Sequence, residues 1–165
     1  MATLIAVNPK LVEGTMDLVT RYVAASTTWK AGQILRINSA GALVAISDNA
    51  STGGASYYAL ADRLSTEAAG YVQVGEITSL QVFEMHLKSG TASAANIGQS
   101  YALDVAANAD FGSKVTIDTS DTTDPYVTVL EIGSNYDVAV NDPSDTLARV
   151  RVKFLQSVID AAPAA

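Results

Sequence analysis

The sequence predicts an all-β domain: a small antiparallel barrel or sandwich with an extended N-terminal arm and at most one or two short helices. Three observations carry this. Short runs rich in Val, Ile, Leu and Tyr recur along the chain with turn residues between them. Several runs alternate with a period of two, as where Val150, Val152 and Phe154 alternate with Arg149, Arg151 and Lys153. And Trp29–Ser47, WKAGQILRINSAGALVAIS, reads as two strands around a tight turn.

Residues 1–13 read as an arm: Leu4, Ile5, Val7, Leu11 and Val12 are apolar, and Asn8-Pro9 interrupts regular pairing. Residues 15–25 fit a helical stripe or an alternating strand, and the β-branched residues with Gly14 favour the strand. In the hairpin, Leu35 and Ile37 share one face of the first strand, and Val44 and Ile46 one face of the second. Asn38 suits the first position of a type I turn. Gly41 suits the following residue, where φ is positive and a side chain would cost energy.

Further strands are expected over Tyr57–Leu64, Tyr71–Ile77, Leu80–Leu87, Gln99–Val105, Lys114–Asp118, Tyr126–Ile132 and Leu147–Val158. Leu80–Leu87 is apolar on both faces, which suggests a central strand. Thr91–Ile97 is Ala-rich and fits one helical turn. Residues 48–56 and 133–146 read as polar loops, and 160–165 as a loose tail. The expected organisation is therefore an arm (1–13), one β-domain (14–159) and a flexible tail (160–165), with no internal repeat.

At 165 residues the chain can bury one core, but much of its 48% apolar content is alanine and only 7% is aromatic. Such a core leaves apolar surface for self-association or a partner. A net charge of −7 argues against nucleic acid and anionic membranes as partners. The absence of cysteine excludes disulfides and thiolate chemistry. MATLIAVNPK lacks the basic region and apolar length of a signal peptide, and no apolar run is long enough to cross a bilayer as a helix.

Candidate chemistry is sparse. His86 is the only histidine, with Glu84 two residues away on the same strand face, but no nucleophile or metal constellation accompanies the pair. Asp118, Asp121 and Asp124 form one carboxylate cluster, and Asp137, Asn141, Asp142 and Asp145 another. Neither has calcium-loop spacing, and both suit turn-building by Asx side chains. Arg149, Arg151 and Lys153 form a row that reads as a contact stripe, a solvated face or a charge-protected edge strand. The expectation is a non-enzymatic protein without cofactor or metal.

The arm with Asn8-Pro9, WKAGQILRINSAGALV, YYALADR, YVQVGEI, GQSYALDV and KVTID followed by YVTVLEI together resemble the capsid decoration, or cement, proteins of tailed bacteriophages, the lambda-type head-stabilising family. The resemblance spans most of residues 1–155. It implies a virion protein on the outer capsid surface, made in the host bacterial cytoplasm. Such a protein forms a homotrimer and bridges neighbouring subunits of the major capsid protein. It also implies contact roles for Leu4, Ile5, Val7, Pro9, Leu11 and Val12 of the arm, with Arg149, Arg151 and Lys153 as the alternative contact row. Two rivals remain: another virion part, such as a head-fibre base or tail protein, and a carbohydrate-binding β-domain using Tyr58, Tyr71 and Tyr101.

Overall fold

The computed structural model describes residues 8–46, 54–88, 91–108, 112–132 and 149–161. In chain order the strands are β1 (Lys10–Glu13), β2 (Leu18–Val23), β3 (Ile34–Ile37), β4 (Leu43–Ala45), β5 (Tyr57–Tyr58), β6 (Gly70–Glu76), β7 (Val82–His86), β8 (Ser100–Asn108), β9 (Gly112–Asp118), β10 (Val127–Ile132) and β11 (Arg149–Phe154). A 3-10 turn, Ala94–Asn96, precedes β8, and a single helical turn, α1 (Gln156–Ile159), follows β11.

The strands form two antiparallel sheets in a sandwich-like arrangement. A six-stranded sheet runs β1-β7-β11-β10-β8-β9 and a five-stranded sheet runs β2-β6-β5-β3-β4. One parallel bridge, Leu87 to Ile117, ties the residue after β7 back to β9. A bridge is not a ladder, so the larger sheet curls without closing into a barrel.

The hairpin β3–β4 shows how the local sequence sets this architecture. Asn38 Oδ1 accepts from the N–H groups of Ala40 and Ala42, both at 3.0 Å. The Gly41 N–H donates to the Asn38 carbonyl at 3.0 Å, and Gly41 has φ +77. The turn is thus held by asparagine and permitted by glycine, and it pairs Leu35 with Ala45 and Ile37 with Leu43. Alternation then sends Ile34 and Ile46 into one core and Leu35 and Leu43 into another.

The larger core lies against the six-stranded sheet and includes Phe83, Met85, Val129, Val150, Val152 and Phe154. Phe83 and Phe154 meet edge to face, with ring centroids 5.3 Å apart. The smaller core is Val23, Trp29, Leu35, Leu43, Ala59 and Val74. Arg63, itself buried, donates to the carbonyls of Ala24 and Ala68 and lies 5.8 Å from the Trp29 ring centroid. The Trp29 indole N–H donates to the Ala61 carbonyl at 3.0 Å.

Three sequence expectations change. The strand expected over 57–64 shrinks to Tyr57–Tyr58, because the chain turns away and joins Trp29 through an isolated bridge at Arg63. The last strand ends at Phe154, and 156–159 coils into α1, whose Val158 carbonyl accepts the Ala55 N–H. The segment from Asn8 to Glu13 is not a free arm, as its contacts below show.

Candidate functional site

Leu4, Ile5 and Val7 lie outside the described residues. The rest of the expected arm is tied into the domain. Asn8 Oδ1 accepts the Val115 N–H at 3.0 Å, from a residue 107 positions away, and its amide donates to the Ala31 carbonyl at 3.1 Å. Pro9 is buried, and its carbonyl accepts the Tyr58 hydroxyl at 2.7 Å. Burial pushes the Tyr58 phenol above its ordinary pKa. Lys10–Glu13 forms β1, in which Leu11 stands opposite Phe83 and packs on the larger core, and Val12 is half-buried. Residues 8–13, expected as part of a free arm, therefore belong to the domain. A truncation through residue 13 would remove an edge strand and the Asn8 bracket.

The Arg149, Arg151 and Lys153 row sits on β11, which lies between β7 and β10. The edge-strand reading is thereby corrected. Arg149 pairs with Glu84 at 2.6 Å, and Arg151 with Glu13 at 3.1 Å and Glu131 at 3.9 Å. Two of the three cations therefore knit β11 to its neighbours across the outer face of the sheet. Lys153 is exposed opposite Thr128.

His86 is buried at the end of β7, and the Glu84 carboxylate is engaged by Arg149. The first carboxylate cluster does turn chemistry. Asp118 accepts from the backbone N–H and hydroxyl of Ser120, and Asp121 accepts the Thr123 N–H at 2.8 Å. The second cluster lies outside the described residues. Sequence reasoning missed a different cluster. Lys88 Nζ lies 2.9 Å from Asp104 and 3.1 Å from Asp118, two buried carboxylates on neighbouring strands. The Asp104 and Asp118 hydrogen bonds raise the Lys88 pKa well above the ordinary lysine value. The Ser120 hydroxyl, followed by Lys88, holds Asp118 below the usual carboxylate range. Lys88 thus clasps the curled sheet beside its parallel bridge. Among the described residues, no group of three His, Cys, Asp or Glu side chains is placed to hold a metal ion.

The three tyrosines of the carbohydrate reading do not share a platform. Tyr58 packs against Phe83, Tyr101 is buried with its hydroxyl bonded to Asn96, and Tyr71 is 76% exposed. Tyr71 belongs to a different feature. The register of β2 with β6 places Tyr22 opposite Tyr71, Thr20 opposite Gln73 and Leu18 opposite Gly75. The opposite face of these strands, Val19, Val23, Val72 and Val74, packs in the smaller core. Leu18, Thr20, Tyr22, Tyr71 and Gln73 therefore share the other face, none of them charged, and at its far end Gly75 is buried beneath Met16, where this face meets the larger core. On it Leu18 is 54% and Tyr22 39% exposed, and the rings of Tyr22 and Tyr71 meet edge to face at 5.7 Å. The alternation of both strands is visible in the sequence, but each has apolar residues on both faces. Periodicity alone does not say which face is buried. Set against protein-family models, curated proteins and solved structures, the chain matches none of them.

Proposed function

We propose that this chain is a structural virion protein that binds the outside of a phage capsid and stabilises it by bridging neighbouring major capsid subunits. The observation that carries the reading is the uncharged outer face of β2 and β6, with Leu18, Tyr22 and Tyr71 open to solvent on a chain of net charge −7. Interface centres are depleted in charge and enriched in aromatics, and this face has that composition. The resemblance of the strand segments to cement proteins supplies the class of partner. Arg149 and Arg151 serve cross-strand pairing, which favours the β2–β6 face over the arginine row as the contact surface. Repetition over a symmetric shell turns a modest contact per copy into substantial stabilisation. Self-association as a homotrimer belongs to the same reading.

The test uses expanded capsids assembled from a candidate major capsid protein of the same genome. Co-sedimentation is expected to show saturable binding, and calorimetry a higher capsid melting temperature. Capsids that bind nothing at micromolar protein would sink the reading. Light scattering on the free protein tests the trimer separately, and a stable monomer would remove that element alone.

A further inference from the structure

We propose that a cleft at the junction of the two sheets binds a small amphipathic carboxylate, with its acid group toward Lys30 and Arg63 and its apolar body against Ile46, Leu64 and Val105. The cleft has a volume of about 400 Å³, within the range of small-molecule sites. Its walls come from the segment before β3, the end of β4, the loop between β5 and β6, and Val105 of β8. Trp29, Ala45, Ile46, Leu64 and Val105 supply apolar surface, and Thr28, Gln33 and Ser65 supply uncharged polar groups. The two charged residues on this described lining, Lys30 and Arg63, are both cations, on a chain of net charge −7. Apolar walls around a few convergent charged groups suit a ligand with one anionic end.

The fold neutralises these cations only loosely. Lys30 Nζ lies 3.5 Å from Asp62, with side chains 45% and 52% exposed, and Arg63 Nη1 lies 3.9 Å from Glu67. Close charge-assisted pairs stand at about 2.7–2.9 Å. Asp62 and Glu67 line a separate cleft of about 170 Å³, which shares only Trp29 and Arg63 with the first among the described residues. Arg63 Nη2 donates to the carbonyls of Ala24 and Ala68, but its buried Nε has no hydrogen-bond partner among the described residues. A carboxylate is the group that best answers a buried guanidinium with a donor unused. The walls are preformed. Trp29 and Arg63 exchange backbone hydrogen bonds at 2.9 and 3.3 Å, the Lys30 N–H donates to Gln33 Oε1 at 2.7 Å, and the Ile46 N–H donates to the Ile34 carbonyl at 3.0 Å. A ligand therefore enters a cleft that needs little ordering. No lining residue lies on β2 or β6, so the site is independent of the proposed capsid contact.

Trp29 is the only tryptophan of the chain, so its emission reports on this cleft. Equilibrium dialysis with labelled octanoate is expected to show one site per chain, half-saturated below about 1 mM, with a parallel change in Trp29 emission. Octan-1-ol has the same apolar body without the charge and is expected to bind about tenfold more weakly. Lys30→Gln, at a partly exposed position, is expected to weaken octanoate about fivefold and leave octan-1-ol within roughly twofold. Lys10→Gln, in a cleft that does not include Trp29, is the control and should change neither. Failure of octanoate to bind, or binding without a change in Trp29 emission, overturns the site. Octan-1-ol binding as tightly as octanoate, or octanoate indifferent to Lys30→Gln, overturns the anionic class of ligand. An equal loss in Lys10→Gln would make the effect one of net charge and overturn the assignment of Lys30.

Discussion

The six-stranded sheet turns Arg149, Arg151 and their carboxylate partners outward, whereas the five-stranded sheet turns outward Leu18, Tyr22 and Tyr71. The five-stranded sheet buries residues of both faces, Ile34 and Ile46 in the larger core and Leu35 and Leu43 in the smaller, and both cores contain side chains fully shut from solvent. The difference lies at the solvent-facing positions. On β11 Arg149 and Arg151 close ion pairs with β1, β7 and β10, and Lys153 stays exposed. On β2 and β6 the side chains of Leu18, Tyr22 and Tyr71 leave apolar area open to solvent among the described residues. Burial identifies the core in both sheets, and only the outward residues separate an ion-paired surface from one suited to contact.

The cores differ in size, and a matched pair of truncations tests that difference. Phe83→Ala removes a ring that packs on Phe154 and Tyr58, and it is expected to cost about 3–5 kcal/mol in urea unfolding. Leu43→Ala in the smaller core is expected to cost about 2–3 kcal/mol, since fewer buried neighbours surround the void. Equal losses would mean that the two cores act as one packed unit.

The Lys88 clasp belongs to the larger sheet alone and gives it a pH signature. Asp118 has a depressed pKa in the fold, so its stabilising contribution is present above the unfolded carboxylate value. That contribution is lost as pH falls through the lower folded value. Lys88→Met removes the shared cation and leaves two buried carboxylates without it. The variant is expected to melt below wild type at neutral pH, with the gap narrowing between about pH 5 and pH 2 as Asp118 protonates. A gap that stays constant over that range, measured by thermal unfolding, would show that the clasp is not electrostatic. At the alkaline end the raised Lys88 pKa keeps its contribution beyond the ordinary lysine value, to be lost only as pH rises through the higher folded one.

The smallest effect on stability is expected at the outer face of the smaller sheet. Tyr71→Ser gives up one edge-to-face contact with Tyr22 at an exposed position, worth about 0.5–1 kcal/mol. Its effect on capsid binding should be much larger and nearly insensitive to salt, because the face is uncharged. A Tyr71→Ser protein that is badly destabilised would place this face in the fold's own packing and erase the contrast between the two sheets.

Most of the strands were legible because their signals are local. Asn38 and Gly41 fix a turn within a few residues, and the Val150, Val152, Phe154 alternation needs no partner to be read. The strand character of 10–13 was not legible, because it depends on Phe83 and Glu84 across the sheet. The shortening of β5 depends on Trp29 capturing Arg63, which is equally remote. The candidate surface was hidden for another reason. Tyr71, Gln73 and Gly75 alternate cleanly with Val72 and Val74, but tyrosine is as acceptable in a core as on an interface. The choice of face was made by the smaller core around Trp29. The clasp was invisible because Lys88, just beyond β7, and Asp104 and Asp118, on β8 and β9, have no spacing rule to join them.

The Asn8 bracket has a consequence for crowded copies. β9 is the last strand of its sheet, and the open side of such a strand can template stacking between molecules. Along this side the Val115 N–H is taken by the Asn8 side chain, and the Ile117 carbonyl by the Lys88 N–H. An incoming strand would find those two hydrogen-bonding groups already occupied. A protein concentrated at high local density can in this way present one apolar face for docking while withholding the strand border that would let its copies polymerise.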